Sequence, residues 1–312
     1  MRKRYVTADV FTNRIFGGNP LAVVLDGESL STAQMQSIAL EFNYSETTFV
    51  LPPDQPDHAA RIRIFTPLTE VPFAGHPNIG TAFVLAREPR FIGRARAECL
   101  VFEEAIGLVS VSILREGDQI VGAELCAPQA LSRHTIVPCD VVAACLSLHP
   151  RDVQAGVHEP QVASVGLPFL LVEVSSRDAL ARSKANLTAC SEVLPLDGAD
   201  AVFAYWRESR DPSTSESTVL HARMFSPLDR IGEDPATGSA AAATISLLTM
   251  LTVENRPERF FEIHQGVDMG RPSLICGRTV VLDGEPMRTY VGGRCVSVFE
   301  GTIPSVIGRQ PQ

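Results

Sequence analysis

The 312-residue sequence predicts an α+β fold built from two similar halves. Three observations lead there: many short runs of alternating apolar and polar residues, a few isolated helical stretches, and motifs that recur in the same order in both halves. The clearest strand is "ARIRIF" at 60–65, where Ile62 and Ile64 alternate with Arg61 and Arg63. Further strands are expected over 5–11, 21–25, 47–51, 108–114, 165–174, 201–205, 219–225, 279–282 and 295–299. Helices are expected over 32–42, 77–87, 140–146, 176–187 and 235–251.

The last of these helices is apolar all round. Asp234 reads as its N-cap and Pro235 as its first residue, where the missing N–H costs nothing. Four alanines follow Ser239, then Ile245, Leu247 and Leu248. A helix with no polar face has to be buried on every side, so it is expected to be the core of its half.

The duplication supports this. "FTPLTEVPFAGHPNIGTA" (65–82) lies on "FSPLDRIGEDPATGSA" (225–240), matching Phe65, Pro67 and Leu68 to Phe225, Pro227 and Leu228. After a two-residue gap, Pro77, Gly80 and Ala82 match Pro235, Gly238 and Ala240, and "GNPLAVV" (18–24) pairs with "GLPFLLV" (166–172). Each half would wrap strands around one central helix. The polar turn Glu116-Gly117-Asp118 is the expected linker, giving domains of 1–118 and 119–312, with the last strand free to return to the first domain. "SRDPSTSEST" (209–218) reads as a long polar loop.

Composition narrows the partners. A net charge of −9 and a pI near 5.3 argue against nucleic acid, which needs a basic stripe. The basic start lacks an apolar segment to make it a signal peptide, and no run of about 18 apolar residues could span a bilayer. A cytoplasmic protein without a membrane partner is expected. Seven cysteines, none spaced Cys-x-x-Cys, read as reduced buried thiols, neither a disulfide framework nor a zinc site. The seven histidines form no paired ligand motif, so no metal is expected.

Phosphate-loop chemistry fails on one residue: 75–80 has the spacing of a P-loop, but Thr81 stands where the lysine belongs. No dinucleotide fingerprint follows a strand, and Gly238-Ser239-Ala240 lacks the flanks of a nucleophile elbow. What remains is the pair of helix starts. Facing one another across a cleft, they would offer free N–H groups and positive dipole ends to a carboxylate. Gly75, Gly80, Gly232 and Gly238 would let a ligand approach the backbone. Asp234 is explained by capping alone; His76 is not. Glu46, between Ser45 and Thr47 at a strand entrance, reads either as a solvated turn residue or as an acid–base group with a raised pKa.

At these residues the sequence resembles the PhzF family of phenazine-biosynthesis-like isomerases, which share the diaminopimelate epimerase fold. The resemblance runs through "DVFTNRIFGGNPLAVV" (9–24), "NYSETTFV" (43–50), "FTPLTEVPFAGHPNIGTA" (65–82), "GEDPATGSAA" (232–241) and "QGVDMGRPS" (265–273). It implies two pseudo-symmetric domains, each a β-barrel-like sheet around a central helix, with the active site between them, and a homodimer. It also implies a proton-transfer isomerase that needs no cofactor or metal. In the phenazine enzyme the substrate is trans-2,3-dihydro-3-hydroxyanthranilate. The family's catalytic glutamate falls on Glu46; its histidine, aspartate and serine fall on His76, Asp234 and Ser239, which are implied to bind substrate and relay the proton. No cysteine lies in either helix-start motif, which argues against two-thiol racemisation. The expected activity is isomerisation of a small cyclic or amino carboxylate. The alternative is a catalytically silent relative that binds a metabolite or a protein.

Overall fold

A computed structural model describes residues 2–89, 98–209, 217–228, 232–252, 256–281 and 287–304. The chain divides into two compact units, Met1–Leu125 with Gly293–Gln312, and Cys126–Gly292.

The strands of the first unit are β1 (Lys3–Val10), β2 (Asn19–Val24), β3 (Glu46–Leu51), β4 (Ala60–Phe65), β5 (Glu70–Val71), β6 (Cys99–Glu104), β7 (Gly107–Glu116), β8 (Gln119–Cys126) and the C-terminal part of β17 (Arg288–Ile303). Eight of them close a ring in the order β1, β2, β3, β4, β6, β7, β8, β17, with β2–β3 and β4–β6 parallel. Closure leaves no free sheet edge. The turn at 116–118, expected as a linker, is the hairpin between β7 and β8, where Glu116 pairs with Gln119. Turn residues look alike in a hairpin and in a linker; pairing partners far along the chain decide between them.

Helix α1 (Thr32–Phe42) lies on the outer face of this barrel, packing Met35, Ile38 and Ala39 with Val24, Phe49 and Phe65. Ser31 and Gln34 start it with a capping box. Helix α2 (Gly75–Arg87) is buried at every residue from Gly75 to Ala86. It begins two residues before Pro77, which sits in the first turn where its missing N–H costs nothing. Gly80 was expected to admit a ligand but serves packing instead. A Cβ there would lie 2.6 Å from Leu21 Cδ2 and 2.7 Å from Val10 Cγ2.

The second unit repeats this plan. Its strands are β9 (Ser132–Ile136), β10 (Gln161–Ser164), β11 (Pro168–Glu173), β12 (Val202–Arg207), β13 (Ser217–Ser226), β14 (Gly232–Asp234), β15 (Glu258–Gln265), β16 (Ser273–Val280) and the start of β17. They pair in the order β9, β10, β11, β12, β13, β15, β16, β17, with β11–β12 and β13–β15 parallel, as β2–β3 and β4–β6 are. The segment after β8 bonds to β17 and to the residue after β10: Ala127 N–H donates to the Thr289 carbonyl and Gln129 N–H to that of Val165. Helices α3 (Cys139–Cys145), α4 (Arg177–Arg182) and α5 (Leu187–Val193) supply an outer apolar layer. The helix expected over 176–187 ends already at Arg182, and a second one starts at Leu187, each with its own cap, Ser176 and Asn186. The polar loop expected at 209–218 lies outside the described residues over 210–216, and Ser217 and Thr218 already belong to β13.

Helix α6 (Gly238–Leu251) is the buried helix of this unit. Its buried hydroxyls stay satisfied without water: Thr244 and Ser246 donate to the carbonyls four residues back, Ser246 also meets Thr289, and Thr249 meets Thr279. Gly266 closes the turn beside its start, at φ 72°. A Cβ there would lie 2.4 Å from the Arg271 carbonyl oxygen and 2.6 Å from that of Pro235. Gly266→Ala adds left-handed strain and overpacking against backbone, so it should destabilise the protein by about 3 kcal/mol. A denaturant midpoint unchanged from the parent would contradict this.

Candidate active site

Glu46 opens β3, paired beside Leu21 of β2, and His76 is the second residue of α2. The two expected residues therefore meet at one end of the first barrel, with His76 Nδ1 3.5 Å from Glu46 Oε2. The glutamate side chain keeps 19% exposure and the histidine 6%, so the carboxyl is the more accessible of the two. Burial drives the His76 pKa down to about 3, opposed by a hydrogen bond to the Pro20 carbonyl. The ring is neutral near pH 7, and its contact with Glu46 is no ion pair there. Nε2 is buried without a hydrogen-bond partner, which leaves Nδ1 as the donor to Pro20 and Nε2 as a free acceptor. Gly75 precedes it as the first residue of α2. The N-cap, Ala74, supplies no side-chain cap.

The depressed pKa has a measurable consequence. In the unfolded chain this imidazole takes up its proton near pH 6.5; in the folded protein it does so near 3. Protons bind the unfolded state first, so stability is lost as pH falls through that window. His76→Gln should flatten the decline of unfolding free energy between about pH 6.5 and 3. Equal slopes in parent and variant would contradict the assignment.

The second unit holds the other expected residues, differently from the sequence reading. Asp234 is not the N-cap of α6: it ends β14, paired with Met224, and accepts the Thr237 hydroxyl at 2.6 Å. Thr237 is the N-cap and the helix starts at Gly238, not Pro235. The cause is a side chain some thirty residues away. Gln265 Oε1 accepts the Thr237 N–H at 3.0 Å, while its Nε2 donates to the Asp234 carbonyl and to Thr237 Oγ1. Ser273 Oγ donates to the Pro235 carbonyl. Residues 234–237 are thereby held out of the helix. From Asp234 to Thr249 every residue is buried except Ser239, which is half-buried. Gly238 is buried at the first helical position, whereas Gly232 opens β14 at φ 71° with nothing within 4 Å of where a Cβ would stand.

Helices α2, α3 and α6 have no side-chain hydrogen bond at the N-cap, whereas α1, α4 and α5 each do. The N–H groups of an uncapped first turn can take an anion. Gln265 and Thr237 are the positioning side chains that sequence reasoning missed; Gln265 stands at the head of the "QGVDMGRPS" motif, but nothing local says what it holds. A groove of about 740 Å³ lies at the opposite end of α2, between Phe83, Arg87, Arg115 and Arg294. It touches none of the expected site residues, and Arg294 is paired with Glu116 and Arg87 with Ser297. All seven cysteines are free. Cys145, Cys190 and Cys295 are buried, but Cys99 and Cys276 are exposed, contrary to the expectation that all would be. Among the described residues no three His, Cys, Asp or Glu side chains cluster as metal ligands, and no helix is long and apolar enough to cross a membrane.

The family model described as phenazine biosynthesis-like protein matches residues 8–301. The chain belongs to that family. Within the phenazine biosynthesis-like proteins, it is 38% identical to an uncharacterized isomerase of Mesorhizobium japonicum, over 96% of this chain and 98% of that one. It is 33% identical to the trans-2,3-dihydro-3-hydroxyanthranilate isomerase of Pseudomonas aeruginosa, with the same coverage. The crystal structure of a PhzF-family protein from Bacillus anthracis superposes with a TM-score of 0.84 at 23% identity, covering 97% of this chain and 99% of that one. The fold is therefore diaminopimelate epimerase-like, with a closed eight-strand barrel, and the protein is an isomerase-type enzyme of its family.

Proposed function

We propose that this protein isomerises a small cyclic or amino carboxylate by proton transfer through Glu46, without cofactor or metal. The observation that carries the reading is the partly exposed Glu46 carboxyl 3.5 Å from a buried, neutral His76 at an uncapped helix start. The carboxylate takes a proton from a substrate carbon, and the electron pair left behind moves into the adjoining unsaturated system. The new carboxylic acid then returns a proton at the carbon where that charge accumulates. One C–H bond breaks, another forms, and no electron leaves the substrate. His76, lacking a charge, acts through its free Nε2 as acceptor for a substrate N–H or O–H. Asp234, Gly238 and Ser239 hold the substrate, and Gly75 leaves room for it beside the backbone.

The name of the 33%-identical relative makes trans-2,3-dihydro-3-hydroxyanthranilate the first compound to try. A thermal-shift screen of that compound with other cyclic and amino carboxylates tests the substrate class, because a ligand bound only by the native state raises its stability. Stabilisation by at least one member, with turnover unchanged after exhaustive chelation, supports the reading. Activity restored only by one particular metal would overturn it. A homodimer is proposed on the family resemblance alone, and a sedimentation or light-scattering mass checks it.

A further inference from the structure

The repeated topology puts one residue at the same place in both units: Glu104 ends β6, and Gln265 ends β15. Each strand runs parallel to β4 or β13 and antiparallel to its successor. Alternation turns both side chains the same way, after the buried pairs Leu100 and Phe102, and Phe261 and Ile263. In the second unit that residue grips the N-cap of the central helix: Gln265 bonds Thr237 at both N–H and hydroxyl.

In the first unit the N-cap is Ala74, which has no side-chain group to grip. Its carbonyl instead accepts a bond from Asn78 Nδ2 at 3.1 Å. Asn78 is fully buried, and its Oδ1 has no partner. Both carboxyl oxygens of Glu104 are buried without a partner too, and the carboxyl lies beside the Asn78 amide. A buried acceptor with no donor is costly, so these three call for one. A proton on Glu104 is that donor.

We propose that Glu104 is a positioning residue: it donates its carboxyl proton to Asn78 Oδ1 and, through the Asn78–Ala74 bond, fixes the first turn of α2, which carries His76. It is the counterpart of Gln265, reaching the N-cap through one intermediate side chain. Burial raises the Glu104 pKa to about 8, opposed only by the Asn78 amide, so the proton is in place near pH 7. Among the described residues no charged neighbour contributes. Glu103 alternates to the other face, where it meets His58 and the Asp54 and Gln55 N–H groups. Arg61, paired with it on β4, reaches Asp54, and His76 on α2 is neutral. Because the folded pKa lies above the unfolded one, the contribution is complete at low pH and is lost as pH rises through about 8.

The inference rests on the proposed role of His76, but its test needs no turnover, so the two fail separately. Amide hydrogen exchange of a peptide spanning 74–80 is measured in the parent, Glu104→Gln and Glu104→Leu over a pH series, each rate referenced to the rest of α2. At low pH the parent and Glu104→Gln should exchange alike, because the amide can donate to Asn78 as the acid does. Glu104→Leu should exchange about ten-fold faster, the equivalent of one net hydrogen bond. Above about pH 8 the parent should speed up relative to Glu104→Gln. A parent-to-Gln ratio that stays flat across the series would overturn the proposal, even if the Leu variant fails to fold. So would a Leu variant as protected as the parent.

Discussion

Glu46→Gln should lower turnover by about 10²–10⁴-fold while changing ligand affinity little. The amide keeps the size and hydrogen-bonding reach of the carboxyl but cannot take or give the proton. A group that acts only in the transition state lowers the rate, whereas one that acts equally in both states changes mainly KM. His76 cannot replace it readily, because a ring whose pKa is held near 3 is a poor base. Asp234→Asn and Ser239→Ala should show the opposite split, with weaker binding and a smaller loss in kcat. Asp234 has a structural task besides, accepting the Thr237 hydroxyl, so its variant should also loosen the lead-in to α6. Steady-state kinetics on any turned-over carboxylate separate these cases. Should Glu46→Gln lose affinity and keep kcat, Glu46 is a binding residue.

Gln265→Leu should be the most damaging change for stability, at about 3–5 kcal/mol. Gln265 is fully buried, and its amide makes three hydrogen bonds to the segment before α6. Leucine fills much of the same volume but removes the partner of the Thr237 N–H and the bond to the Asp234 carbonyl, and it leaves the Thr237 hydroxyl only its donation to Asp234. Glu at this position would keep the acceptor for the Thr237 N–H and lose both donors, so it should fall between the parent and Leu. Denaturant unfolding of the three proteins gives the order. A Leu variant as stable as the parent would mean that the segment is held by Ser273 and by packing alone.

The same residue shows where local reading stops. Ser31 and Gln34 bound α1 by contacts within one turn, and "ARIRIF" shows the two-residue period of β4, so both are legible in sequence. The apolar run after Ser239 announces a buried helix for a similar reason: no face is left for water. Its first residue is another matter. Asp234-Pro235 has good capping chemistry, yet Gln265 pulls that segment into an extended path. In β15, Phe261, Ile263 and Gln265 alternate with half-buried partners, but a buried glutamine reads locally as a surface residue. Strand β8 carries Gly122 at its middle and follows a polar turn, two features that locally argue against a strand. Glu46 and His76 lie thirty residues apart, and only pairing of β2 with β3 and the seating of α2 bring them together. Glu104 has the weakest sequence signal of all, a charged residue ending an ordinary strand.

Label exchange into a bound carboxylate tests the central claim most directly. The enzyme is held in D₂O with a carboxylate that stabilises it, and deuterium at the carbon next to the unsaturated system is followed by NMR or mass spectrometry. Proton transfer through Glu46 predicts that label accumulates with the parent as its carboxyl re-equilibrates with solvent between turnovers. It also predicts that label entry falls by at least about 10²-fold with Glu46→Gln. A Glu46→Gln protein that exchanges the same proton as fast as the parent would contradict the account.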